Sequence, residues 1–309
     1  MNQTNETTVK DFIFLAFSSF HQFQIFLFIV IQLAYIGCLI GNISVIILVR
    51  AKPSLHTPMY FFISTLSALE ICFASAVIPK LLASLIAADN TISFAGCFAQ
   101  LLVSDSLGAT ECFLLAVMAF DRDFAINNPL HYKVIMTQNT CIGLAALPWA
   151  LGFITVLIPT IYMARSKFCG SNEINHFYCY LAPIKNMICS NQFTTILLTN
   201  SAAIFTTILP FIIILGFYTH IIVAISKIKG TKSKQKVFST CSSHLIVVSL
   251  IYFAGIFGYL APKDGPYGSF FGLLYTVVTP ILNPFIYTFR NKEVKAALWK
   301  SSALPKQLA

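Results

Sequence analysis

Seven long apolar stretches fill this chain, and runs of that length leave few folds open. Five of them, Phe23–Val49, Val134–Ala164, Asn186–Ser226, Val237–Pro262 and Gly265–Phe289, contain no Asp, Glu, Lys or Arg. Each exceeds the roughly 20 residues that carry a helix across a bilayer. Two more, about Pro58–Ala83 and Cys97–Phe120, are apolar but interrupted by Glu70, Lys80, Asp105 and Glu111. Only 10% of the chain is charged, against about a quarter in soluble domains. The expected fold is an all-α membrane protein, a bundle of seven transmembrane helices. The spans are expected at about 23–49, 58–83, 97–122, 140–163, 197–226, 237–261 and 269–289. An outer tail over 1–22 precedes the bundle, and a short amphipathic cytosolic helix over 290–309 follows it.

Basic residues set the expected orientation. Fourteen of the twenty Lys and Arg side chains fall on one side of these spans, among them Arg50, Arg122, Lys227 to Lys236 and Arg290. Six, including Lys10, Arg165 and Lys263, fall on the other. The positive-inside rule then places the amino terminus outside and the carboxyl terminus in the cytosol of a multi-pass plasma-membrane protein. The net charge of +9 fits cytosolic loops that meet anionic lipid and a partner protein, and does not call for nucleic acid. The apolar run Phe12–Phe17 is too short for a cleaved signal, so the first span is expected to direct insertion.

The outer tail carries two N-glycosylation triplets, at Asn2 and Asn5, on the side where the modification is made. A third, at Asn42, lies within a span and is expected to stay unmodified. Four of the nine cysteines, Cys97, Cys169, Cys179 and Cys189, fall on the outer, oxidising side. They allow three pairings, and spacing does not choose among them. His176 with Cys179 offers a metal site as an alternative, disfavoured because thiols oxidise there.

Two polar elements interrupt the apolar pattern near the cytosolic side. The seventh span contains Asn283-Pro284-Phe285-Ile286-Tyr287. Pro284 has no amide hydrogen, so a carbonyl one turn earlier must find another partner. The third span ends in Asp121-Arg122-Asp123, where an acid and a base at a membrane boundary can pair and release. Such a break and such a pair are plausible moving parts of a receptor.

With these motifs stand Gly41-Asn42, the run Leu55–Phe62, Met118–Tyr132 and the run Lys236–Leu245, with Pro280–Asn291 closing the series. In this order the chain resembles the olfactory receptors of the rhodopsin-like G-protein-coupled family. The resemblance implies a receptor, not an enzyme, that binds a small odorant in the outer half of the bundle. It also implies a heterotrimeric stimulatory G protein as partner, with a rise in cAMP. It pairs Cys97 with Cys179, leaving Cys169 for Cys189. It makes Asp121, Arg122, Asn283, Pro284 and Tyr287 activation switches, with Tyr218 meeting the arginine on activation and Tyr252 as an aromatic toggle. The chain departs from the family at Asp123, where a tyrosine is usual. That aspartate is expected either to hold Arg122 as a second partner or to meet Lys133.

The acids inside the spans carry their own implications. Glu111 lies eleven residues before Arg122 and so faces within about 20° of it. Glu70 occupies the position where the superfamily resembled here places a sodium-binding aspartate. Two carboxylates in low dielectric repel, so a proton or a sodium ion is expected between them; no other cofactor is implied. Asp105 sits roughly 25 Å further out on the same helix, about 100° from the Arg122 face. It is expected either to serve as a polar or cationic anchor for a ligand or to hydrogen-bond to span four or two. Ser104, Gly108, Thr206, Ile256, Tyr259 and Thr276 are expected to line the pocket with it.

Other classes fit less well. A transporter is expected to show repeated broken helices, and Asn-Pro occurs in one span only. No nucleophile–base or metal constellation points to an intramembrane enzyme. A receptor for an amine or peptide would share the fold; Asp105 favours it and the Lys236–Leu245 run opposes it.

Overall fold

A backbone crossing lipid must satisfy its own hydrogen bonds, which long apolar runs do as helices. The computed structural model describes residues 6–7, 9–17, 22–87, 89–227, 230–260 and 267–289. Spans one to four run Gln24–Ala51, Pro58–Ala87, Phe94–Asn127 and Gln138–Ala164. Span five is continuous over Gln192–Lys227, span six covers Thr231–Leu260, and span seven runs from Tyr267 to Phe289. Among the described residues six helices are long and apolar enough to cross a bilayer. In span six the described side chains include the apolar stretch Cys241–Phe257. The expected helix over 290–309 lies outside the described residues, as do Asn2 and Asn5.

Local capping sets the helix starts. The Ser93 hydroxyl accepts the Gly96 N–H at 3.2 Å, and the Thr137 hydroxyl accepts the Thr140 N–H at 3.3 Å. Span three therefore starts earlier than its apolar run.

Burial separates the spans by role. In the most apolar window of span three 72% of residues are buried, against 11% in span one. Span three is the central post, and span one turns Ile25, Leu33, Ile40 and Ile47 outward. Spans three and four meet at Gly152. A Cβ there would stand 2.5 Å from the Thr110 hydroxyl and 2.7 Å from the Ser106 carbonyl, so only glycine permits the approach.

Spans five and seven each contain one wide turn, Ile204–Ile208 and Leu274–Val278. Each precedes a proline, Pro210 or Pro280, by one intervening residue. Proline cannot donate to the carbonyl four residues back, and the turn widens so that the Leu209 and Thr279 N–H groups reach Ile204 and Leu274.

The outer face is covered more elaborately than a free tail implies. Strand β1 (Glu6–Thr7) pairs antiparallel with β4 (Phe168–Cys169). Strand β2 (Asp11–Phe14) pairs antiparallel with β3 (Thr91–Ser93) and parallel with β5 (Glu173–Ile174). The alternation in Asp-Phe-Ile-Phe explains the strand: Phe12 and Phe14 are buried, the former against Phe94 and Phe168. Residues 11–14, expected as part of an outer tail, are thus one strand of a cap on the bundle.

Candidate ligand cavity and switch region

Beneath this cap lies a cavity of ≈ 1210 Å³ between spans three, five, six and seven. Two disulfides hold its roof: Cys97 to Cys179, tying the loop to span three, and Cys169 to Cys189 within the loop. Cys38, Cys72, Cys112, Cys141 and Cys241 are free thiols. Of the residues expected to line the cavity, Ser104, Asp105, Gly108 and Thr206 do so. Ile256 does not: it is 41% exposed and points outward, while Ile251, Tyr252 and Gly255 form that wall. Thr276 does not either. The wide turn of span seven rotates it into the helix packing, where its hydroxyl donates to the Gly272 carbonyl, and presents Tyr275 instead. The Tyr259 side chain lies outside the described residues.

The roof adds Tyr178 and Tyr180, which the sequence does not single out, beside His176. His176, Tyr178 and Tyr180 line the cavity and pack together; the tyrosine rings stack at 5.1 Å, and His176 meets each edge-on below 5 Å. Gly272 makes room for this histidine, since a Cβ there would stand 2.5 Å from His176 Nε2. Burial pushes the His176 imidazole down to about 3, so it is neutral near pH 7 and no metal ligand set forms around it among the described residues. Burial, and then the Asp105 charge, push the Tyr180 phenol up to about 12 and Tyr178 further. Asp105 Oδ2 accepts the Leu181 N–H at 2.9 Å, so Asp105 fastens the loop rather than a neighbouring span.

Below the cavity the polar groups of the core meet across the bundle. The Asn283 amide donates to Glu70 Oε1, and the Tyr275 hydroxyl donates to Glu111 Oε2 at 3.0 Å. Glu70 and Glu111 are both buried in this core, each bonded to a side chain of span seven. Among the described residues Glu111 Oε1 and Asn283 Oδ1 are buried acceptors without a donor, which a proton or a small hard cation would satisfy. Pro284 removes the N–H that would serve the Pro280 carbonyl, and Asn42 Nδ2 supplies the replacement at 3.0 Å from span one. Gly41 lets the helices approach: a Cβ there would meet the Pro284 ring at 3.2 Å.

The inner end differs from its expected pairing. Asp121 accepts the Tyr132 hydroxyl at 2.7 Å, and the Arg122 side chain closes no ion pair among the described residues. Asp123 holds neither Arg122 nor Lys133. Its Oδ1 is bonded to His220 Nδ1 at 2.8 Å and to Asn127 Nδ2 at 2.7 Å, because the last turn of span three faces span five. Tyr218, expected beside Arg122 on activation, is bonded to His244 Nδ1 at 2.6 Å. His244 lies within the Lys236–Leu245 run, and a histidine in an apolar span is the signal in the sequence that marks it. Tyr252 packs on Phe211 with ring centroids 4.6 Å apart, and Tyr287 is buried in the same core.

A helical bundle with its second outer loop bonded to span three, a cavity below and Asp-Arg and Asn-Pro-x-x-Tyr elements inside has the architecture of a G-protein-coupled receptor. Comparison with known proteins agrees: residues 31–303 match the olfactory receptor family. The chain is 44% identical over 298 residues to human (Homo sapiens) Olfactory receptor 10A5, covering 95% of this chain and 94% of that protein. It is 40% identical over 301 residues to mouse (Mus musculus) Olfactory receptor 2C1, covering 96% of each. The chain belongs to the olfactory receptor family. It is accordingly a multi-pass membrane receptor for odorants that works through a G protein, not an enzyme.

Proposed function

We propose that this receptor binds a small volatile ligand in the outer cavity and, once occupied, activates a stimulatory G protein of the olfactory type, raising cAMP. The observation that carries this reading is the ≈ 1210 Å³ cavity, with Tyr252 of span six in its wall. A ligand that fits one arrangement of span six better than another shifts the population toward it. Asp121, Arg122 and Tyr287 stand at the inner end, where such a shift would open a crevice for the partner. The excess of basic residues in one set of loops supports a cytosolic carboxyl terminus and a plasma-membrane receptor with Asn2 and Asn5 glycosylated outside. Glu70 and Glu111, with the unpartnered acceptors beside them, would hold a proton or a sodium ion.

The test is a cAMP assay in cells supplied with the olfactory stimulatory G protein. A chemically broad volatile panel should contain compounds that raise cAMP in a dose-dependent way. If none does while surface expression is verified, the reading fails.

A further inference from the structure

We infer that the cavity is built for a volatile amine, with Asp105 as counter-charge to the ammonium group and the rings of Tyr178 and Tyr180 beside it. This rests on the reading of the cavity as the odorant site and adds the chemical class of its ligand.

The argument begins with which polar groups on the wall are already committed. Ser104 donates its hydroxyl to the Gln100 carbonyl at 2.8 Å, Thr206 to Ala202 at 2.8 Å, and Thr199 to Thr195 at 2.8 Å. These hydroxyls serve their own helices and offer little to a ligand. Asp105 differs. One oxygen takes the Leu181 N–H; no hydrogen bond to the other is found among the described residues, and the side chain is half-buried in the cavity wall.

A carboxylate in such a place calls for a cation. The protein does not supply one: among the described residues no basic side chain lies within ion-pairing distance of Asp105. Lys185, on the same wall, donates to Asn200 Oδ1 at 3.2 Å. His176 is neutral because burial disfavours its charged form. Glu173, exposed where the cavity meets solvent, adds a second negative charge on the route in.

The aromatic rings complete the site. Tyr178 and Tyr180 line the same cavity as Asp105, and Tyr180 directly precedes Leu181, whose N–H Asp105 accepts. An ammonium group paired with Asp105 would stand near these rings, whose electron-rich faces favour cations over neutral groups. Ala109, Val156, Ile251 and Phe271 offer apolar wall for the hydrocarbon body.

The experiment uses the full receptor in the cAMP assay with matched pairs of probes, hexylamine against hexanol and cyclohexylamine against cyclohexanol. Asp105→Asn is the variant, since an amide oxygen still accepts the Leu181 N–H and keeps the loop in place. Wild type should respond to amines at lower concentration than to the matched alcohols, and Asp105→Asn should reduce the amine-to-alcohol potency ratio at least tenfold at equal surface expression. An unchanged ratio in the variant overturns the inference, as does a wild type that responds to neutral volatiles and ignores amines. In both cases the receptor reading stands. Silence toward every compound at verified surface expression overturns that reading and this inference together.

Discussion

Asp123 shows how much one substitution within a motif decides. Beside Arg122, an aspartate in place of the family's tyrosine suggests a competing ion pair. The side chain instead reaches span five and binds His220, with Asn127 on the same oxygen. The bond ties the inner ends of two spans that flank the proposed G-protein crevice. His220 is 59% exposed, so the tie contributes no more than about 1 kcal/mol. We expect His220→Ala and Asp123→Asn each to raise basal cAMP by roughly two- to fivefold, in line with that energy. The double variant should do no more than either single, because both remove one interaction. Measurement at matched surface levels decides it: unchanged basal signalling, or effects that add, would show the contact to be incidental.

At the scale of elements, the break in span seven is completed by span one. Asn42→Ala should leave the Pro280 carbonyl buried without a donor and cost about 1–3 kcal/mol. The check is thermal melting of purified receptor, with Asn42→Ala/Pro284→Ala as the companion. Alanine at 284 restores the missing N–H, so the double variant should melt above the sum of the two losses. The outer loop carries a different dependence, on pH. His176 is neutral when folded, its value lowered by burial to about 3 from 6.5. A depressed histidine binds fewer protons folded than unfolded, so stability is complete above about pH 6.5 and declines as pH falls toward 3. At pH 5 the loss is on the order of 2 kcal/mol. Melting temperatures of wild type should fall across that window, and those of His176→Gln should fall less; parallel curves would contradict the assignment.

For the whole molecule, the cap is what gives the bundle a roofed site. The amino-terminal strands, the loop between spans four and five and the Cys97–Cys179 bridge form one outer layer. The bridge closes a separation of 82 residues, and its loss should cost about 2–5 kcal/mol. Cys97→Ala and Cys179→Ala should each lose surface expression and ligand response together, read by flow cytometry and cAMP in the same cells. Retained response in either variant would mean that the strands alone hold the cap.

The seven-helix plan of the bundle was legible in the chain, because transfer into lipid depends on local runs of apolar residues. The motifs that mark the family were legible for the same reason, since they are short and contiguous. Partners were not. Asn42 meets Pro280 across 238 positions, Asp123 meets His220 across 97, and Asp105 meets the Leu181 backbone across 76. The cap strands were hidden likewise, since Phe12 and Phe14 acquire a core only from β3, β5 and span three. Ile256 and Thr276 mark the limit within a single helix. In a soluble protein an apolar stripe identifies the inner face, but lipid and core are equally apolar, so the pattern does not record how a span is rotated. Packing decides that rotation, through Gly152 against span three and through wide turns before Pro210 and Pro280. The chain alone determined what crosses the membrane; the tertiary structure decided which side chains face one another once it has crossed.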